Sequence, residues 1–276
     1  LNNPWLKPKL YLNKISKKFT TKYETPMIIR FPLEFMDESW LPHSIRTTVL
    51  ETLNVVLAKP FRPYYDDVVE KTIETINRKN IRRVAELGAG AAPISRHLAK
   101  NADLPKSVKI SPSDKYPDIE GWKALEESFP AIVECNYDSM DFTKPMAFPP
   151  DTLLLLSASF HHVPFQDRVS TLKALIPYNV LICEPIRRNY YSIAFTLLGL
   201  FPALLAPIAL LKRPGRFRRF LWGWLIPIAP IIIVWDGLAS CFRCWTEKEW
   251  ELNVKNVAPN AALKIHSTVV TTYISW

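Results

Sequence analysis

Val84-Ala85-Glu86-Leu87-Gly88-Ala89-Gly90-Ala91-Ala92-Pro93 is the stretch from which the rest of the chain can be read. It opens as a short apolar strand and breaks into a glycine-rich turn. It then runs into Ile94 to Lys100, where Ile94 and Leu98 stand four apart, as on one helix face. Strand, tight turn and helix in this order make a nucleotide-binding crossover. Gly88 and Gly90 keep side chains away from the place where a ligand must approach the backbone. A dinucleotide fingerprint asks for a third small residue three positions after Gly90. Pro93 stands there; it suits the first turn of a helix but weakens a pyrophosphate cradle. Glu86, just before the first glycine, would repel a diphosphate and suits a ligand with a cationic end.

The E-L-G-A-G segment, residues 86–90, resembles the first motif of class I S-adenosylmethionine-dependent methyltransferases. The resemblance implies S-adenosyl-L-methionine as cofactor, with its amino-acid part near Glu86, Gly88 and Gly90. Residues 107–114 read as a second strand ending at Asp114, 24 residues after Gly90, where an acid can accept both ribose hydroxyls. Residues 131–135 read as a third strand. The resemblance implies that an acid in the loop after it, Asp138 or Asp141, accepts the adenine amino group; Asp138 lies nearer the strand end and is preferred, with Ser139 beside it. Residues 151–157 form a continuous apolar run, the mark of a strand buried on both faces, and end at Ser157, also placed at the cofactor. Residues 178–185 read as a fifth strand. Before the motif, Ser44 caps a helix to Ala58, and Pro63 opens another to Asn77. In the family it resembles, the helix before the first strand often covers the cofactor, so Tyr64 or Tyr65 would do so here, and Tyr65 is taken into the set. The expected fold is α/β: a doubly wound, mostly parallel Rossmann-like methyltransferase sheet with an apolar helical insert. Its parts are a basic N-terminal arm and helix (1–60), the cofactor-binding core (61–191), the insert (192–235), and a C-terminal helix with closing strands (236–276).

The chain has 276 residues, 48% of them hydrophobic, enough for a sizeable core. Its net charge of +9 is concentrated in residues 1–30 and 212–219, on a near-neutral body. Two local basic patches suggest an anionic surface, and no aromatic-interleaved basic motif points to nucleic acid. In residues 1–30, Trp5, Leu10, Tyr11 and Phe19 alternate with lysines, as in an irregular packed arm or a membrane-surface contact. Four cysteines, including a lone Cys241-x-x-Cys244, do not make a zinc framework, and reduced structural thiols are expected. The first residues show no secretory signal pattern.

Ser192 to Leu211 is twenty residues without a charge, broken by Pro202 and Pro207. A basic turn, Lys212 to Arg219, follows, and then Phe220 to Trp235, apolar with Pro227 and Pro230. A crossing hairpin would put the basic turn on the side away from the cofactor supply, against the positive-inside rule. The second run, at sixteen residues, is also shorter than the ~20 that span the hydrocarbon. A monotopic hairpin, or a lid over a greasy pocket, fits better, and peripheral or monotopic membrane association on the cytoplasmic side is expected. The insert closes on Trp235-Asp236-Gly237 with Ser240, Arg243 and Thr246 beyond, similar to a W-D-G…S…R…T signature in a bacterial group of these methyltransferases. Thr246 and Glu249 should form a capping box.

Methyl transfer is in-line displacement, and a base is needed only where the acceptor must lose a proton. His161 and His162, after the fourth strand, stand where such a base belongs, one of them expected to be structural. Asp236 is the third candidate, to orient a histidine or bind substrate. No third ligand is visible beside the two histidines, so no metal is expected. The reading is a methyltransferase acting on a lipophilic small molecule or lipid at a membrane surface. The alternatives are a methyltransferase fold with a cyclase or isomerase activity, or a membrane-bound scaffold with a dead site.

Overall fold

The computed structural model describes residues 33–276, apart from 59, 211 and 213. The basic arm over 1–30 and Arg213 therefore lie outside the described residues.

Strands β1 (Arg83–Leu87), β2 (Lys109–Ser113), β3 (Thr152–Ser157), β4 (Asn179–Glu184), β5 (Lys264–Ser267) and β6 (Thr272–Ser275) form one sheet in the order β2-β1-β3-β4-β6-β5. β2, β1, β3 and β4 run parallel, and β6 and β5 close the sheet antiparallel. The helices are α1 (His43–Ala58), α2 (Arg62–Lys79), α3 (Pro93–Lys100), α4 (Ile119–Ser128), α5 (Arg168–Leu175), α6 (Tyr190–Leu198), α7 (Leu200–Ala209), α8 (Arg216–Phe220), α9 (Ile228–Arg243) and α10 (Glu247–Val257). This is the doubly wound α/β sheet expected from the sequence.

Side chains alternate along each strand, so the sheet carries two cores. Val84, Ile110, Leu153 and Leu155 meet Ile76 of α2, Leu98 of α3, and Trp122 and Leu125 of α4. Leu87, Leu154, Leu156 and Ile182 meet Leu172 and Leu175 of α5, and Trp250 and Val254 of α10. Leu153 to Leu156 lie between both layers, which is why that run is apolar without a break. Thr246 and Glu249 form the expected capping box on α10.

Three local expectations change. The third strand over 131–135 is a single bridge, Ile110 with Val133. Its partner β2 contains Pro112, which has no N–H to return, so the ladder stops there. α1 begins at His43, which puts Ser44 inside the helix instead of at its cap. The insert is a chain of short helices, and α9 continues past 235 to Arg243.

The insert packs on α1: Ala229 and Ile232 of α9 meet Val49, and Ala203 and Ala206 of α7 meet Val56. Gly237 lets α9 lie close to α6, because a Cβ there would stand 2.6 Å from Thr196 Cγ2. The outer side remains apolar and exposed, with Phe201, Leu205, Phe217 and Leu225 at 60% or more. Residues Tyr190–Ala209 are long and apolar enough to cross a membrane by length and composition, with only 22% of that stretch buried. The pair Arg216–Leu225 and Ile228–Arg243 is bent by 67°, with Pro227 at the break.

Candidate functional site

The turn after β1 is built by its own neighbours. Gly88 and Gly90 take positive φ, +68° and +53°. A Cβ on Gly88 would stand 2.8 Å from Ser159 Cβ, whereas one on Gly90 would meet no described atom within 4 Å. The open space over Gly90 is a cradle that a ligand can fill. Asp114, just past β2, accepts from Gly90 N (2.8 Å) and Tyr116 N (2.8 Å). The loop after the Val133 bridge is tied to it by Met140 N donating to Asp114 O (2.8 Å). Asp138 and Ser139 are exposed in that loop, with Ser139 Oγ donating to Lys115 O (2.8 Å). Asp141 is committed to Thr143.

Glu86 is placed differently from its expectation. Only 2% exposed, it accepts from Ser95 N (2.9 Å) and Ser95 Oγ at the start of α3. Burial pushes its carboxyl up to about 7 against the pull of those donors, with the charge of Asp114 adding to the rise. Glu86 thus fastens the turn to the helix, because an acid beneath a helix N-terminus satisfies free N–H groups. Ser157 and the tyrosines also differ in detail. Tyr64 Oη lies 2.8 Å from Ser157 Oγ and donates to Cys183 O (3.0 Å), bridging the ends of β3 and β4. Tyr65 packs its ring on His97 of α3, with centroids 5.1 Å apart. An open glycine turn, an acid beyond β2 and an exposed acid in the next loop thus stand near one another.

The two histidines follow β3 in a short 3-10 turn, rings 4.4 Å apart, and have opposite surroundings. His161 is 4% exposed, with Nδ1 2.5 Å from Glu184 Oε2 and its N–H donating to Glu184 Oε1. His162 is 36% exposed at its side chain, with Nδ1 2.9 Å from Asp37 Oδ1 and 2.7 Å from Glu34 Oε2. Burial would lower the His162 pKa, but Glu34 and Asp37 outweigh it and hold the value well above the ordinary one. Burial would raise Asp37, and His162 and Arg243 bring it instead to about 2.

Asp236 touches neither histidine. It accepts from Phe35 N (2.8 Å) and Met36 N (3.0 Å), capping the short turn Phe35–Asp37 that carries Asp37. Ser240 Oγ donates to Glu34 Oε1 (3.0 Å). Arg243 Nη1 lies 3.2 Å from Glu34 Oε1 and 3.1 Å from Asp37 Oδ2, and its Nη2 donates to His162 O (2.6 Å). Trp235 Nε1 donates to Leu33 O (3.0 Å). Asp236, Ser240 and Arg243 are spaced by four and three, so one face of α9 presents them together.

Glu34, His161 and His162 each bring a ligand atom within 4.8 Å of one another, so Glu34 supplies the third donor that the sequence did not reveal. Separations of 2.5–2.9 Å and the guanidinium of Arg243 on both carboxylates are those of a hydrogen-bonded acid–imidazole cluster. Among the described residues all four cysteines are free thiols.

No protein-family model and no curated protein matches this sequence. Solved structures do. An O-methyltransferase family protein from Burkholderia thailandensis superposes with TM-score 0.52 at 12% identity, over 98% of this chain and 68% of that one. That likeness shows the fold. An S-adenosylmethionine-dependent methyltransferase from Aquifex aeolicus matches with TM-score 0.42 at 12% identity, over 73% of this chain and 86% of that one. The plantazolicin methyltransferase BpumL, solved with S-adenosylhomocysteine, matches with TM-score 0.45 at 13% identity, over 82% of each chain.

Within this methyltransferase-like fold, the structure brings Gly88, Gly90, Asp114, Asp138 and Ser139 to one end of the sheet. Ser157, His161 and His162 lie at the C-terminal end of β3, and Asp236 reaches them only through residues 35–37. Glu34, Asp37 and Glu184 were missed. Glu184 ends the fifth strand read from the sequence and could have been found there. Glu34 and Asp37 carry no local signal.

Proposed function

We propose that this chain is an S-adenosylmethionine-dependent methyltransferase for a lipophilic small molecule or lipid, working as a peripheral or monotopic protein on the cytoplasmic face of a membrane. The observation that carries the reading is the apolar, outward-facing side of Tyr190–Ala209 beside the catalytic end of the sheet. Phe195 of α6 packs on Phe61 (5.9 Å between centroids), and Phe61 on Tyr64, whose hydroxyl reaches Ser157. An apolar patch of this extent marks a surface made to be covered. Basic residues flank it. Lys212 and Arg216 are exposed, whereas Arg218 and Arg219 are held by Glu51, Arg219 being 1% exposed. Lipid headgroups therefore fall to Lys212 and Arg216.

Gly88, Gly90, Asp114, Asp138 and Ser139 would hold the cofactor, with Ser157 beside it and Tyr65 over α3. When bound, the cofactor supplies an electrophilic methyl group. The chain's own work is to orient the acceptor, exclude water and, at a pH above the raised His162 value where the ring is neutral, take a proton from an acceptor hydroxyl at Nε2, since Nδ1 faces Asp37.

The test combines turnover with flotation. Purified protein is incubated with S-adenosylmethionine and membrane lipid extract, and S-adenosylhomocysteine is measured. The protein is also floated with vesicles containing phosphatidylglycerol. Lipid-dependent turnover and flotation are expected, and replacing Lys212 and Arg216 by alanine should weaken flotation by about 1 kcal/mol each. Protein that stays in the soluble fraction overturns the membrane reading; absence of turnover on any extract overturns the activity.

A further inference from the structure

The catalytic end of the sheet is completed by a segment from outside the nucleotide-binding core. Residues 33–37 are gripped by α9 through Trp235, Asp236, Ser240 and Arg243, and by α1 through Arg46, which donates to Met36 O and to Glu38 O. A segment held at so many points has its side chains fixed in place. Two of them, Glu34 and Asp37, converge on one nitrogen of one partly exposed imidazole. Their contributions differ. Asp37 Oδ1 accepts the Nδ1 hydrogen, so that when the ring loses its second proton it is Nε2 that becomes the free acceptor. Glu34 Oε2 stands 2.7 Å from the same nitrogen and competes for its hydrogen, adding the negative charge of a fully buried carboxylate. Arg243 touches both acids and tempers that charge. The neighbouring His161 is turned to Glu184 and occupied.

We propose that Glu34 and Asp37 are positioning residues for His162, with Arg243 setting how much of their charge the imidazole feels and Asp236 fixing the backbone that carries them. In this arrangement the proton of an acceptor hydroxyl passes to Nε2, the positive charge formed is matched by Asp37 and Glu34, and the proton later leaves to water while Nδ1 keeps its own. The inference rests on the reading of His162 as the base. It explains why an α9 face carries an acid, a hydroxyl and a guanidinium at helical spacing: together they hold the strap that tunes the histidine.

The chain has five histidines, few enough for each ring to be followed by nitrogen-15 NMR in the full-length protein. His162→Ala assigns its signal. Glu34→Gln should lower the His162 pKa by about 1–3 units, the effect of removing an opposite charge at this range. Arg243→Gln should raise it, because both carboxylates are then released to the imidazole. Asp37→Asn should lower it and alter the tautomer. The acid limb of kcat against pH should move with each. Opposite shifts for Glu34→Gln and Arg243→Gln are the signature, since mere loosening of the strap would move both alike. If either variant unfolds, Asp37→Asn, at a part-exposed position, still decides. A titration unmoved by Glu34→Gln or Asp37→Asn overturns the inference while leaving the base in place. Full turnover by His162→Ala instead overturns the base reading, and the positioning role falls with it.

Discussion

The glycine turn and the histidine cluster sit at the same end of one sheet, yet they are assembled over very different lengths of chain. In the turn, Glu86 meets Ser95 nine residues on, and Gly90 meets Asp114 twenty-four residues on. In the cluster, His162 meets Asp37 across 125 residues, Asp236 meets Phe35 across 201, and Arg243 meets Asp37 across 206. A turn closed by near neighbours can form as soon as its strand and helix form. A cluster closed across the whole chain exists only after the insert has docked on α1, because the cost of bringing distant segments together is met by other contacts first. The glycine-turn end is thus a property of a motif, and the histidine end a property of the fold.

The two histidines give the sharpest way to break this contrast. His162→Ala should lower kcat roughly 10²–10⁴-fold. His161→Ala should act on stability instead, by about 3–5 kcal/mol, since it leaves the buried Glu184 carboxylate without its partner. Kinetics paired with urea denaturation separates them; two variants that lose rate and stability alike would show that the rings act as one unit.

A smaller effect separates the two glycines. Gly88→Ala should cost about 1–3 kcal/mol of stability from positive φ, and more if Ser159 cannot yield to a Cβ at 2.8 Å. Gly90→Ala meets open space, so beyond the φ strain of about 1–2 kcal/mol its effect should fall on S-adenosylmethionine affinity. Thermal melts and calorimetry on both variants check this. Equal affinities would remove the turn from the cofactor site.

The smallest effect is the pH dependence of stability. The folded His162 pKa is raised, so its contribution is full below about 6.5 and is lost as pH rises through the folded value. The folded Asp37 pKa is depressed to about 2, so its contribution is present above 3.8 and fades as pH falls towards 2. The pair therefore stabilises most between these limits, by an amount reduced because Asp37 is a third exposed. His162→Ala should flatten the alkaline slope and Asp37→Asn the acid one, measured by urea unfolding across pH. Unchanged slopes would mean that the cluster adds nothing to folding.

Much of the framework was legible in the chain itself. The apolar runs at 153–156 and 180–183, and the stretch 84–87 that is apolar but for Glu86, are strands because both faces of a parallel sheet are covered. The glycines mark the turn because positive φ is open to them at little cost. Thr246 and Glu249 mark a helix start because their pairing is local. The W-D-G…S…R spacing was also visible, but its meaning was not, since the groups those side chains bind are two hundred residues away.

What the sequence by itself determined is the presence of the four parallel strands, the glycine turn, and the acids and histidines at strand ends, because each depends on periodicity or on neighbours within about one crossover. Only the tertiary structure decided that Glu86 holds α3, that Tyr64 bridges β3 and β4, that Arg219 is buried on Glu51, and that Glu34 and Asp37 stand on His162. The reason is physical. Backbone pattern is set by local sterics and burial, whereas the partner of a long polar side chain is whichever opposite group the packed helices bring within about 3 Å of it.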